Sequence, residues 1–161
     1  MKFSSQEEYG LRCLLRIARE TSGKGLTIPE ISTGEGMTTH NTAKLLRILR
    51  IGGFLESARG QVGGYSLSRP ADAILLSDVL KVLGGRLFDQ EFCSTHSGGG
   101  RAGNSREICT NSIDCSIRSL WQMLQNAVDG VLKDITLKDL ISGEENLVYK
   151  IANYNKEILP I

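Results

Sequence analysis

Cys93, Cys109 and Cys115, three of the chain's four cysteines, fall within one stretch, FCSTHSGGGRAGNSREICTNSIDCS, at residues 92–116. Their spacing is Cys-x15-Cys-x5-Cys. Thiolates are the preferred ligands of iron–sulfur clusters, good ligands for zinc and, when free, redox-active nucleophiles. The CxxC pairs that mark zinc ribbons and ferredoxins are missing, so the spacing alone leaves cluster ligands, free thiols and a redox pair open. The glycine, serine and arginine between Cys93 and Cys109 favour turns and mobility, not packing. His96 follows Cys93 by three residues, so Cys93, His96, Cys109 and Cys115 also form a candidate zinc set. Cys13 lies among apolar residues and reads as core packing.

A second constellation lies in TTHNTAK. Thr38, Thr39, His40 and Asn41 are short or planar hydrogen-bonding groups, with Lys44 one turn further on and Arg47 beyond it. Side chains of these types reach base edges and phosphates when they open a helix laid in a major groove. The net charge of the chain is only +1, but from Lys44 to Arg69 five basic residues, including Arg47 and Arg59, face a single acid, Glu56. A basic segment in a near-neutral protein is an electrostatic footprint for phosphate. The plainer alternatives are a threonine that merely caps its helix and a solvated cationic face.

The elements that must carry these residues follow from periodicity and caps. Residues 5–20 predict a helix, with Ser4 or Ser5 as N-cap, Glu7 and Glu8 in the first turn, and Tyr9, Leu11, Leu14, Leu15, Ile17 and Ala18 at helical spacing. Thr27 caps a short helix with Pro29 in its first turn and Glu30 three positions on. Thr38 or Thr39 opens the third helix, whose core face is Ala43, Leu45, Leu46, Ile48 and Leu49, and Gly52-Gly53 stops it. FLES and GYSLSRP read as two strands joined by ARGQVG, with Arg59 at the tip beside Gly60. Ser77 begins a fourth helix, SDVLKVLGG. After Cys115 a long apolar stripe from Ile117 to Leu132 needs a partner surface, and the same helix of a second subunit is the economical one. Thr136 caps a last short helix, and the tail at 144–161 shows no clear period.

Helix, helix, turn, helix, hairpin is the order of a winged helix-turn-helix domain. The predicted fold is mainly α with a small β-hairpin: a winged helix-turn-helix domain plus a long dimerisation helix. The expected division is residues 1–85 for DNA binding, 86–115 for the cysteine-bearing loop, 116–143 for the dimerisation helix and the short helix after it, and 144–161 unassigned.

YGLRCLLRIA, IPEIS, LLRILRIGGFLESARGQVGGYSLSRP, ILLSDVLKVLGG and the cysteine series together resemble the IscR-like iron–sulfur cluster regulators, dimeric winged-helix transcription repressors of bacteria. The resemblance spans about residues 1–142, and its most specific motif is RG-x-x-GGY-x-L-x-RP from Arg59 to Pro70. It implies operator DNA as partner, a homodimer, and DNA contacts through residues such as Thr38, His40, Lys44 and Arg59. It also implies a two-iron or four-iron cluster on Cys93, Cys109 and Cys115 that senses redox state, nitric oxide or cluster supply. Some such proteins use a histidine three residues after the last cysteine; here that position is Arg118, which cannot ligate. In others an acidic residue of the other subunit's first helix completes the site, a place held by Glu8, with Glu7 and His96 as runners-up. Two departures stand out. The gap between the first two cysteines is long, and Asn41-Thr42-Ala43 replaces a Tyr-Leu-Glu run of the recognition helix, which implies a different operator.

The alternatives are a metal-free regulator of the same fold that answers to thiol chemistry or a partner, and one with a structural zinc site. The chain shows no P-loop, dinucleotide fingerprint or nucleophile–base pairing, so an enzyme is not expected. With no signal-peptide pattern and no run of the ~18–20 apolar residues that a bilayer requires, the expected setting is the reducing cytoplasm.

Overall fold

A computed structural model of the chain describes residues 4–60, 63–88 and 115–158. The contacts divide them into two compact units, one from residues 1–85 and 131–161 and the other from 86–130. No described helix is long and apolar enough to cross a membrane.

The first unit is built on helix α1, Ser5–Ala18. Ser4 is its N-cap: its hydroxyl accepts from the Glu7 N–H at 3.3 Å, and the Glu7 carboxylate accepts from the Ser4 N–H at 2.8 Å. This reciprocal pairing satisfies two of the donors that a helix start leaves open. Gly10, Cys13, Leu14 and Ile17 then place one buried stripe at i, i+3, i+4, i+7. Helix α2, Ile28–Glu35, begins with the same device, Thr27 with Glu30, and carries Pro29 in its first turn. Gly36, at φ +65°, ends it in the left-handed region. Helix α3, Thr39–Ile51, takes Thr38 as N-cap and buries Thr42, Leu45, Leu46 and Leu49. The chain leaves α3 through Gly52 and Gly53, the latter at φ +78°.

Strands β1, Leu55–Ala58, and β2, Gly64–Leu67, pair antiparallel with Leu55 opposite Leu67 and Ala58 opposite Gly64. Leu26 adds a single bridge to Tyr65 with bonds of 3.0 and 2.8 Å, which fixes the hairpin against the segment entering α2. The backbones meet here so closely that a Cβ on Gly64 would lie 2.5 Å from the Gly25 carbonyl carbon. Only glycine fits that approach.

A short 3-10 turn, Ala71–Ala73, leads to helix α4, Leu76–Leu83. Ser77 was the expected start; Leu75 is the cap residue instead, and no side-chain cap bond forms. The entry is set from the main chain, by Leu76 N–H to the Ile135 carbonyl and Leu137 N–H to the Ile74 carbonyl, both 2.9 Å. The helix therefore starts one residue earlier than expected, at Leu76, held by a tertiary bridge. Leu14, Leu46, Phe54, Ile74, Val79, Leu83 and Leu137 meet in one buried cluster, joining α1, α3, α4 and the C-terminal segment.

Helix α5, Ser116–Leu132, starts after Cys115, and its residues as far as Gly130 belong to the second unit. Gln125 is 4 % exposed although polar. Its side-chain oxygen accepts from the N–H groups of Leu87 (2.7 Å) and Phe88 (3.4 Å), and its amide donates to Asp129, itself paired with Arg86. Ile117, Leu120, Trp121, Met123 and Leu124 of α5 are exposed.

The first unit closes with α6, Leu137–Ile141, and α7, Glu144–Ile158. Sequence reading assigns no element to 144–161, whereas the structure forms α7 over most of it. Its period is hidden because Leu147 and Ile151 are only half buried while Val148 and Tyr149 between them are exposed. Polar contacts anchor it: Lys150 Nζ reaches Asp139 at 2.7 Å and the Asp134 carbonyl at 2.8 Å, and Asn146 donates to Asp139.

Asp139 thus joins the α6 cap to α7. Burial works against its charge, but hydrogen bonds from Lys150 and from the Thr136 N–H and hydroxyl, with the charge of Lys150, carry its pKa down to about 2. A carboxyl whose pKa is lower folded than unfolded stabilises the fold above its unfolded pKa and loses that contribution as pH falls through the folded value. Asp139→Asn should therefore cost about 2 kcal/mol near neutral pH, a difference that fades between about pH 4 and pH 2 in urea-unfolding curves.

Candidate nucleic-acid interface and cluster ligands

The cap that starts α3 also determines which of its side chains remain free. Thr38 accepts from the Asn41 N–H at 3.3 Å, and its carbonyl accepts from the Thr42 hydroxyl at 3.0 Å. Thr42 is fully buried and belongs to the core. Thr38, Thr39, His40 and Asn41 are exposed, as are Lys44 and Arg47. His40, Lys44 and Arg47 fall at i, i+4, i+7 and so share one face. Arg59 is exposed immediately after β1, where Gly60 at φ +108° turns the chain. Among the described residues none of Lys44, Arg47 and Arg59 has a carboxylate partner, whereas Arg12, Arg16, Arg86, Lys133, Lys138 and Lys150 each have one. Cations left unpaired on one folded unit are available to an external anion.

The proposed cluster ligands divide by what the structure describes. Cys93, His96 and Cys109 lie outside the described residues. Cys115 is half buried just before α5, and its Sγ accepts from the Arg118 N–H at 3.3 Å. Glu8 is exposed on α1 and accepts from Arg12 Nε at 2.9 Å, while the Arg12 guanidinium also lies 5.4 Å from the Tyr9 ring centre. Glu7 is nearly buried, with its carboxylate committed to the α1 cap. Of the two neighbours, Glu8 alone is both exposed and held by a displaceable partner. Among the described residues no three His, Cys, Asp or Glu side chains gather in a metal-holding group.

Cys13 has the opposite character. It is fully buried in the core, and burial first, with the Glu35 charge second, pushes its thiol up to about 12 against the opposing pull of Arg16. It is a packed, protonated thiol.

The family profile described as "Rrf2: Iron-dependent Transcriptional regulator" matches residues 3–143. The chain belongs to the Rrf2 family. Its relatives include the HTH-type transcriptional regulator IscR of Erwinia tasmaniensis, 27 % identical over 98 % of this chain and 89 % of that protein. Protein rrf2 of Nitratidesulfovibrio vulgaris is 30 % identical over 88 % and 87 %. Among solved structures, CymR of Bacillus subtilis, named as its global cysteine regulator, is 27 % identical with a TM-score of 0.63, covering 88 % of this chain and 97 % of that one. The winged-helix fold is thereby shared with proteins of the Rrf2 family, which are transcriptional regulators and not enzymes.

Three side-chain roles are not picked out in the sequence reading, and only one of them has a local signal. Thr42 looks polar and recognition-like but its hydroxyl bonds one turn back, the usual way a helical threonine is buried. The Glu8–Arg12 pair is legible as an i, i+4 spacing once the helix is granted. Gln125 gives no signal, because its partners are backbone groups of residues 87 and 88, distant in sequence. Brief alkylation of the native protein should leave Cys13 unmodified by peptide mass spectrometry, with modification appearing only after denaturant is added. Rapid native labelling of Cys13 would contradict its placement in the core.

Proposed function

We propose that the protein is an iron–sulfur cluster-responsive repressor that binds operator DNA as a homodimer through Thr38, Thr39, His40, Asn41, Lys44, Arg47 and Arg59. The observation that carries the DNA reading is the set of unpaired cations and exposed hydrogen-bonding groups at the start of α3 and after β1. The α3 residues suit a major groove, and a guanidinium on a glycine turn suits a narrow minor groove. Exposed apolar side chains on α5, among them Ile117 at 56 % and Met123 at 61 %, support association with a second copy, since isolated apolar stripes of that length favour burial.

Cys93, Cys109 and Cys115 with Glu8 of the other subunit would hold a [4Fe–4S] or [2Fe–2S] cluster. The donor chemistry fits at the two described positions: Cys115 is a sulfur with a backbone N–H aimed at it, and Glu8 is an exposed carboxylate with one exchangeable partner. When bound, the cluster supplies redox and ligand-exchange chemistry sensitive to oxygen, nitric oxide and iron. Glu8 contributes a hard, weakly held oxygen beside softer thiolates, which suits a ligand that lets go. Because α1 and α3 share one buried cluster, a pull on Glu8 is transmitted to the helix that reads DNA.

Likeness to a cysteine regulator supports the second reading, a metal-free regulator in which the same thiols respond directly. Visible absorption of anaerobically purified protein separates the two. The cluster reading predicts brown protein with charge-transfer bands, matched iron and sulfide, and loss of the colour in Cys115→Ser; colourless, iron-free parent protein supports the thiol reading. In DNA binding, Arg59→Ala and His40→Ala should each weaken the preferred duplex by about 1–3 kcal/mol and relax preference at one position in a base-substitution series.

A further inference from the structure

A groove lies between the start of α1 and the start of α3, with a volume of about 510 Å3. Ser5, Gln6 and Tyr9 line it from α1, and Thr38, Asn41 and Lys44 from α3; no acidic residue does. The Ser5 hydroxyl, the Tyr9 hydroxyl, the Asn41 amide and the Lys44 ammonium have no hydrogen-bond or ion-pair partner among the described residues. Gln6 is fixed in place by its bond to the Leu83 carbonyl at 2.8 Å. The neighbouring carboxylates are committed elsewhere, Glu8 to Arg12 and Glu7 to the cap.

The groove further along α1 differs in kind. It holds about 440 Å3 and is lined by Arg12, Arg16 and Arg19, but Glu20 and Glu35 line it too, and Arg16 is paired with Glu35 at 2.5 Å. Arg16 is thus matched from within by Glu35 and Arg12 from outside by Glu8, and two carboxylates of the lining compete there with any incoming anion. The α1–α3 groove instead offers one cation, several neutral donors and no carboxylate. Such a donor set suits a singly charged oxyanion, because an unmatched donor reaches its full hydrogen-bond strength only against a charged acceptor.

Thr38, Asn41 and Lys44 belong both to this groove and to the reading end of α3, so the oxyanion nearest to hand is in the DNA backbone. We propose that the groove seats one backbone phosphate, and that α1, through Ser5 and Tyr9, is part of the DNA interface. This rests on the DNA-binding reading and extends it to a helix outside the helix-turn-helix. A phosphate contact fixes register and orientation without reading sequence. It also gives α1, the helix that carries Glu8, a direct hold on DNA in addition to its packing on α3.

The experiment compares full-length parent, Ser5→Ala, Tyr9→Phe and Lys44→Gln by fluorescence anisotropy, with thermal melting alongside to establish that each is folded. Two duplexes serve as probes: the tightest binder that the parent selects from a random pool, and an unrelated duplex of equal length. Each is titrated from about 50 to 200 mM salt. Ser5→Ala and Tyr9→Phe should weaken binding by about threefold or more, by the same factor on both duplexes, as loss of a phosphate contact does. Lys44→Gln should weaken both and reduce the salt slope by about 0.9. Parental affinity in both α1 variants overturns the phosphate seat while leaving DNA binding intact. Loss on the selected duplex alone overturns it in favour of base reading. A parent that binds neither duplex overturns the DNA reading, and the seat with it.

Discussion

The structure depends on the burial of one stripe of α1. Cys13, Leu14 and Ile17 enter the same cluster as Leu45, Leu46 and Leu49 of α3 and Leu83 of α4. Burial of each such side chain stabilises a fold by about 1.5–3 kcal/mol, so this shared core fixes α1 relative to α3. At Gly10 the approach is so close that a Cβ would lie 2.5 Å from a methyl carbon of Leu83. An interior packed in this way transmits displacement instead of absorbing it. Glu8, the proposed carboxylate ligand, and the α3 residues proposed to read DNA thus sit on two helices that cannot easily move apart.

Around that core the polar groups fall into two populations. Some are committed to architecture: Ser4 with Glu7, Thr27 with Glu30, Thr136 with Asp139, and Lys150 with Asp139. Others have no ion-pair partner among the described residues, among them Lys44, Arg47 and Arg59. Net charge of +1 therefore conceals a local excess that is available for phosphate. The Glu8–Arg12 pair stands between the populations. About half of each side chain is exposed, and exposed pairs of this kind are worth under about 1 kcal/mol, so Glu8 is easily diverted to another partner.

Most of the winged helix-turn-helix is legible in the sequence because its signals are local. Ser4, Thr27, Thr38 and Thr136 announce their helices through side-chain oxygens that reach backbone N–H groups three residues on. Glycines past the ends of α2 and α3 mark where the chain must turn. Where the deciding bond is long-range, the sequence misleads. The start of α4 is set by Ile135 and Leu137, more than fifty residues away, and not by Ser77. Helix α7 is held by Lys150 and Asn146 to Asp139, so its apolar period is faint. At the candidate site, exposure at the head of α3 follows from its helical period, while the burial of Thr42 and the donor-lined groove beside α1 emerge only once the helices are packed.

Family membership leaves the signal to be decided, since IscR and a cysteine regulator both resemble this chain at similar identity. Helix α1 is the proposed link between the two constellations, so operator affinity before and after cluster removal tests that link most directly. One anaerobic preparation is divided, half is stripped with an iron chelator, and each half is titrated against the duplex the parent selects. The two dissociation constants should differ by about tenfold or more, within the usual range of allosteric coupling, and the difference should collapse in Glu8→Ala. Equal affinity of the loaded and stripped parent would contradict the coupling.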